Sequence, residues 1–325
     1  MDRHENQEPV LQQRVSPVQR FVGTSRAAQE AREFAEQVAK SDLTVLLRGE
    51  TGVGKDHLAE LIHQAGHNGK PFVVVDCGAL TETLSETELF GHTRGAFTDA
   101  REEKVGLVKA AEDGTLFFNE VANMSLGLQA KFLRILDKRP FRAVGGRTEI
   151  QVRTRIIAAT NANLEAAVKT RTFRLDLFHR LNVLSFSIAP LRDRKEDIPE
   201  LVSAFLNGNA ERFSPAALAV MMEYDWPGNV RELMNVVQRA AFMSKDKEID
   251  LEQIRPHLTS LTDKPSFPTL YELERSYLRD LLKVSKGMQR TAAEIAGISP
   301  RVMNYKIKRF DLEGFVDRLR EESSD

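Results

Sequence analysis

The chain has 325 residues, 42% of them hydrophobic and 29% charged, enough apolar material for a sizeable core and a length that suggests roughly two domains. A formal net charge of −1 excludes a wholly basic coating protein but leaves room for a local nucleic-acid patch. One cysteine, Cys77, excludes an intrachain disulfide and fits a reducing cytoplasm. No apolar run approaches the ~18 residues of a membrane span, and the polar, mixed-charge residues 1–15 do not read as a signal peptide.

In chain order, residues 1–19 read as a loose arm. Residues 25–40, rich in Ala, Glu and Arg, predict a helix, and 44–48 a buried strand. A glycine-rich turn and a second helix follow. Residues 72–75, 115–118 and 155–160 are three more short apolar strands, with helical stretches between them. This rhythm predicts an α/β fold over 20–192, a mostly parallel sheet covered by helices. Beyond Pro190 the strands cease, and 193–259 read as a small helical subdomain. Pro265 and Pro268 mark 260–269 as a linker. A last helical unit occupies 270–312, and 313–325 form an acidic tail. Asp311 to the end carries six acids and two bases, which reads as a solvated end.

Gly49, Glu50, Thr51, Gly52, Val53, Gly54, Lys55 and Asp56 lie between a predicted strand and a predicted helix, the context a phosphate-binding loop requires. Glycines let backbone N–H groups turn toward phosphate oxygens, the helix N-terminus adds favourable dipole charge, and Lys55 can reach the β- and γ-phosphates. Asp56 stands where a Ser or Thr would coordinate Mg²⁺. Leu116, Phe117, Phe118, Asn119 and Glu120 end a strand as the metal-side segment of such a site does. Glu120 is placed to polarise an attacking water, whereas Asn119 cannot supply the negative charge expected beside the metal. His63 and His67, four apart, lack the glutamate of a zinc protease and read as a plain surface pair.

Toward the C-terminus, residues 290–296 read as a short helix, Gly297 as a tight turn, Ser299 as an N-cap, Pro300 as a first helical residue and 301–310 as a second helix. That is helix-turn-helix spacing. Between Lys283 and Arg309 there are seven basic residues and one acidic one, an excess that suits phosphate contact. Arg301, Asn304, Tyr305, Lys306 and Lys308 are the candidate DNA contacts, with Arg301 and Asn304 nearest the base edges.

Further motifs follow the phosphate-binding loop in order: Gly95, Ala96, Phe97, Thr98, Asp99 and Ala100; Thr160 and Asn161; Arg174 and Arg180 within the segment 173–181; and Trp226, Pro227, Gly228, Asn229, Val230 and Arg231. Together they resemble the AAA+ domain of bacterial enhancer-binding proteins, the sigma-54 activators related to NtrC. The segment 292–298 resembles the Fis-type helix-turn-helix of the same family. The resemblance implies a three-layer AAA+ P-loop sandwich with a helical subdomain, working with ATP and Mg²⁺ as a ring, usually a hexamer. Lys55, Glu120, Asn161 and Arg231 would belong to one face of the nucleotide cleft, and Arg174 and Arg180 would reach in from the neighbour. The loop from Gly95 to Ala100 would contact sigma-54 in RNA polymerase, with Phe97 at its tip. Asp99 replaces the family's second glycine, and Arg94 and Arg101 could offset its charge. A second insertion around 141–146 has Ala143 where an arginine is usual.

Asp76 stands where the family has Asn, so Asp76 and Asn119 show the opposite chemistry to the family pattern. One expectation is that a carboxylate has moved between neighbouring strand ends, leaving Asp76, Asn119 and Glu120 near the metal. The alternative is a DNA-binding regulator with an impaired ATPase. Because only the short arm precedes the AAA+ domain, the layout implies regulation by a trans-acting inhibitor or co-regulator, or by expression level. The implied partners are sigma-54 polymerase, upstream activating DNA and further copies of the chain.

Overall fold

The computed structural model describes residues 21–80, 82–97, 100–206, 208, 212–244, 248–258 and 270–321. The N-terminal arm, the linker, Thr98 and Asp99 lie outside the described residues. The chain divides into two compact units, Met1–Leu261 and Thr262–Asp325.

In the first unit, β1 (Val45–Arg48), β2 (Phe72–Asp76), the short β3 (Gly91–His92) and β4 (Lys104–Val105), β5 (Thr115–Asn119), β6 (Arg155–Thr160) and β7 (Leu184–Ser187) follow in chain order. Five of these form a parallel sheet in the order β2-β5-β6-β1-β7. Alternate strand residues point to opposite faces, and β5 shows the consequence. Leu116 and Phe118 enter one core with Val73, Val75 and Phe132, while Phe117 enters the other with Leu58, Ala59 and Ile62 of helix Lys55–His67. Two cores on two faces make the expected three-layer sandwich. β6, central and buried along its whole length, carries an unbroken apolar run over 156–159 for that reason. β7 is a fifth strand where sequence reasoning singled out four. Leu184 and Phe186 are only half-buried and alternate with exposed serines, a weak signal for an edge strand.

β3 and β4 pair antiparallel as the stem of an insertion between helices Glu82–Phe90 and Leu107–Ala110. After β7 come helices Ile198–Phe205, Pro215–Glu223, Asn229–Met243 and Leu251–Ile254, which pack around fully buried Trp226. The Trp226 indole N–H donates to the Met221 carbonyl at 2.7 Å, so the ring buries no unpaired donor.

The expected surface pair of histidines is corrected. His63 is not a surface residue: it lies in the core, with Nδ1 2.8 Å from Thr115 Oγ1 and Nε2 3.1 Å from the Lys70 carbonyl. His67 pairs separately with Asp42 at 3.2 Å.

The second unit, taken by itself, holds helices Leu270–Val284, Gln289–Ile295, Pro300–Arg309 and Glu313–Glu321. Leu278, Leu282, Ala292, Ala293, Met303, Ile307 and Phe310 form its core. Gly297 (φ 65°) makes the turn between the second and third helices, and Ser299 caps the third by accepting from Val302 N. The acidic end expected to be solvated instead carries the last helix. Its Val316 is buried in this core, and Phe315 and Leu319 pack against it.

Candidate functional site

β1 lies between β6 and β7, so the strand order reverses beside it, and such a switch point at the carboxyl ends of strands is where α/β sheets bind ligands. The loop after β1 is shaped by positive φ at Gly49 (150°), Gly52 (81°) and Gly54 (105°). At Gly52 a side chain would also strike the Gly228 carbonyl, 2.3 Å from an added Cβ, so two separate chain segments meet there. Gly54 caps helix Lys55–His67, aiming its first N–H groups at the loop.

Lys55 is buried, and its Nζ donates to the carbonyls of Gly49 (2.9 Å) and Glu50 (3.2 Å). It also pairs with Glu120 Oε1 at 3.0 Å. Glu120 follows β5 in a left-handed conformation (φ 54°), uncommon for a residue with a side chain. Its Oε2 accepts from Asn161 N at 2.9 Å, and Asn161 Nδ2 donates to Thr51 Oγ1 at 3.0 Å. Lys55, Glu120, Asn161 and Thr51 thus form one connected node.

Asp76 and Asn119 are in-register partners at the ends of β2 and β5. Asp76 Oδ1 accepts from Gly78 N at 2.9 Å, whereas Asn119 Oδ1 is buried and has no hydrogen-bond partner. Asp56, at the start of the P-loop helix, is exposed as a residue. Desolvation of its carboxyl nonetheless raises its pKa; Arg231 and Lys55 oppose the rise, and Glu120 and Asp76 add to it. The Cys77 thiol is pushed up too, by burial first and then by Asp76 and Glu120.

The helical subdomain closes on this loop through residues that sequence reasoning left without a role. Asn229 is fully buried (φ 54°); its Nδ2 donates to Glu50 Oε2 (3.2 Å) and the Thr51 carbonyl (3.1 Å), and its Oδ1 accepts from Leu191 N (2.8 Å). Arg192 grips Glu50 with two hydrogen bonds of 2.9 and 2.7 Å, which with Asn229 hold the Glu50 carboxyl below its ordinary pKa. Arg194, buried, donates to the Val53 carbonyl at 2.8 Å and pairs with buried Asp197. Arg231 itself is exposed, with its backbone N bonded to the Gly52 carbonyl at 3.3 Å.

Arg174 and Arg180 do not join the P-loop groups. Arg174 binds Asp176 through Nε (3.0 Å) and Nη2 (2.7 Å), and Arg180 binds Asp137 at 2.8 Å. Both are exposed. In the insertion, Gly95 N donates to the Ala100 carbonyl at 2.8 Å, and Ala100 is buried. Ala96 N bonds back to Thr93. Phe97 is 44% exposed and rests against the His92 ring, 4.9 Å between centroids. The 141–146 segment packs beneath: Thr93 N donates to the Val144 carbonyl, Val144 N donates to the Gly91 carbonyl, and an added Cβ at Gly145 would meet Ala96 at 2.8 Å. Arg142 is taken up by Glu149 at 2.9 Å. Thr98 and Asp99 fall outside the described residues.

In the second unit, Arg301, Asn304, Tyr305 and Lys308 are exposed on helix Pro300–Arg309, while Lys306 pairs with Glu274. Arg301 and Asn304 line an open groove of about 760 Å³ with Met288 to Thr291 of the preceding helix.

A strand–P-loop–helix at the switch point of a five-stranded parallel sheet, with a helical subdomain folded onto the loop, defines a P-loop protein of the AAA+ class. Comparison with known families places it further. The sigma-54 interaction domain matches residues 21–187, the AAA+ ATPase lid domain 192–268, and the bacterial regulatory protein, Fis family, 269–310. The chain belongs to the sigma-54 interaction domain family. It is 41% identical over 293 residues to the transcriptional regulatory protein GlrR of Escherichia coli (strain K12), covering 86% of this chain and 66% of the relative. It is 48% identical over 236 residues to a Nif-specific regulatory protein of Herbaspirillum seropedicae, covering 69% and 43%. The chain therefore spans just under two thirds of GlrR and less of the other. Among solved structures it resembles NtrX from Brucella abortus in complex with ATP, with a TM-score of 0.66 and 33% identity, covering 89% of this chain and 68% of that one. The alternative of an impaired ATPase finds no support in these relatives.

Proposed function

We propose that this chain is a sigma-54-dependent transcriptional activator that binds upstream DNA and uses ATP hydrolysis in a ring, a hexamer, to remodel sigma-54 RNA polymerase for promoter opening. The observation that carries the reading is the node at the P-loop mouth, in which Lys55 holds Glu120 at 3.0 Å and Glu120 holds Asn161 N at 2.9 Å. A γ-phosphate arriving at Lys55 competes with Glu120 for the same ammonium. Its arrival frees Oε1 to orient a water, so that occupancy and catalysis are linked through one side chain. Mg²⁺ bound with the nucleotide supplies neutralisation of the phosphate oxygens.

Arg231, beside Gly52, senses the bound nucleotide from the helical subdomain. Arg174 and Arg180 leave Asp176 and Asp137 to stabilise the transferring phosphoryl group in a neighbouring copy. Phe97, at the tip of the loop from Gly95 to Ala100, offers sigma-54 an apolar contact, with Thr98 and Asp99 beside it. Helix Pro300–Arg309 enters DNA, with Arg301 and Asn304 toward base edges and Tyr305, Lys306 and Lys308 toward phosphates. The division into 20–192, 193–259 and 270–312, cytoplasmic residence and control by a partner acting in trans belong to the same reading.

The test is open-complex formation by the purified chain with sigma-54 polymerase and a cognate promoter. Opening is expected with ATP and not with a non-hydrolysable analogue. DNA binding without opening in either nucleotide contradicts the reading.

A further inference from the structure

A P-loop site commonly holds Mg²⁺ through a Ser or Thr after the lysine and an Asp at the end of the neighbouring core strand. This chain has Asp56 at the first position and Asn119 at the second, so both usual ligands are changed. The structure shows what stands beside them. Asn119 Oδ1 is a buried acceptor with no hydrogen-bond partner, an arrangement that proteins rarely leave unanswered because it forfeits hydration for nothing. Its in-register partner across the parallel pair is Asp76. Side chains of such partners leave the sheet on the same face. Two residues back from each, Val74 and Phe117 share that face, and Phe117 packs there with Leu58 and Ala59 of the P-loop helix. Asp76 and Asn119 therefore emerge together beneath the helix start that carries Lys55 and Asp56. Lys55, next to Asp56, pairs with Glu120 Oε1 at 3.0 Å, and Glu120 directly follows Asn119, so the helix start and the two strand ends meet at one place.

We propose that Asp76, from the adjacent strand, provides the carboxylate of the divalent-cation site, with the Asn119 amide oxygen as its neutral partner. The negative charge has moved one strand over without leaving the site. Asp56, Asp76 and Glu120 against Lys55 and Arg231 leave an excess of one formal negative charge, and the triphosphate adds more, so the site calls for a cation to hold carboxylate and phosphate oxygens together. Among the described residues no group of three or more His, Cys, Asp or Glu side chains forms a ready-made metal cage. The remaining ligands are accordingly phosphate oxygens and water, as is usual for Mg²⁺.

This inference rests on the nucleotide reading above, and the experiment separates the two. The affinity of the full chain for a fluorescent non-hydrolysable ATP analogue is measured in EDTA and in Mn²⁺, and the ratio of the two reports the metal's share. In the parent, Mn²⁺ is expected to tighten binding by about tenfold or more. Asp76→Asn is expected to bring the ratio close to one while leaving binding in EDTA unchanged or tighter, since a repelling carboxylate is gone. The double variant Asp76→Asn with Asn119→Asp is expected to regain most of the ratio. A variant that had merely lost its fold would lose binding in EDTA as well. If Asp76→Asn keeps the parent's ratio, or the double variant regains none of it, the relocation is wrong while nucleotide binding stands. If the parent binds the analogue in neither condition, both readings fall.

Discussion

Asn229 joins three segments with one amide: the P-loop through Glu50 and Thr51, the connection at Leu191, and its own helix start. Asn229→Ala leaves the Leu191 N–H and the Thr51 carbonyl without their partner in a buried place. A loss of about 3 kcal/mol is expected, read as a lower urea midpoint with an unchanged slope. His63 gives a second residue-scale test. The Lys70 carbonyl can only accept, so Nε2 carries the proton and Nδ1 accepts from the Thr115 hydroxyl. Burial is the main cause that lowers its pKa below 6.5; the Lys70 bond opposes this, while His67 and Arg155 disfavour a further positive charge. The unfolded chain therefore binds more protons than the folded one just below that value. Stability is fully present above about pH 6.5 and falls as pH drops toward the folded-state pKa. His63→Gln should flatten that part of the stability profile; an unchanged slope would place its origin elsewhere.

At the scale of elements, the insertion loop and the recognition helix make separable predictions. Phe97 is 44% exposed and its ring rests on His92, so Phe97→Ala should change stability by less than about 1 kcal/mol. It should leave ATP hydrolysis intact and abolish promoter opening; loss of hydrolysis as well would show that the loop also supports the nucleotide site. In the helix-turn-helix, Lys308 is exposed whereas Lys306 is engaged by Glu274. Lys308→Ala should reduce the salt slope of DNA binding by about 0.9, as expected for one phosphate contact, and Lys306→Ala by less. Equal effects would mean that Glu274 releases Lys306 on DNA.

These elements also show what was legible in the sequence. The P-loop, the central strands and the helix-turn-helix announce themselves through local signals: glycine spacing, unbroken apolar runs and an N-cap followed by proline. The grip of Arg192 on Glu50 was not legible, because it joins residues far apart in the chain and each alone reads as an exposed charge. The edge strand β7 hid behind its serines. The final helix hid behind acidic composition, although Phe315, Val316 and Leu319 recur at helical spacing.

For the molecule as a whole, the two sets of groups proposed to act on the nucleotide stand apart. Lys55, Glu120 and Asn161 are joined at the P-loop, while Arg174 and Arg180 are paired outward with Asp176 and Asp137. Under the proposed function a single copy holds half of each of two sites, and head-to-tail assembly into a ring would complete them. Mixing two inactive variants tests this most directly. Lys55→Ala and Arg180→Ala should each hydrolyse ATP at below about a tenth of the parent rate, since a trans arginine is worth orders of magnitude. In an equal mixture, one interface in four joins an intact P-loop to an intact arginine, so activity should return to roughly a quarter of the parent value. A mixture that remains as inactive as its components, or an Arg180→Ala protein that hydrolyses ATP at the parent rate, would contradict a nucleotide site shared between neighbouring copies.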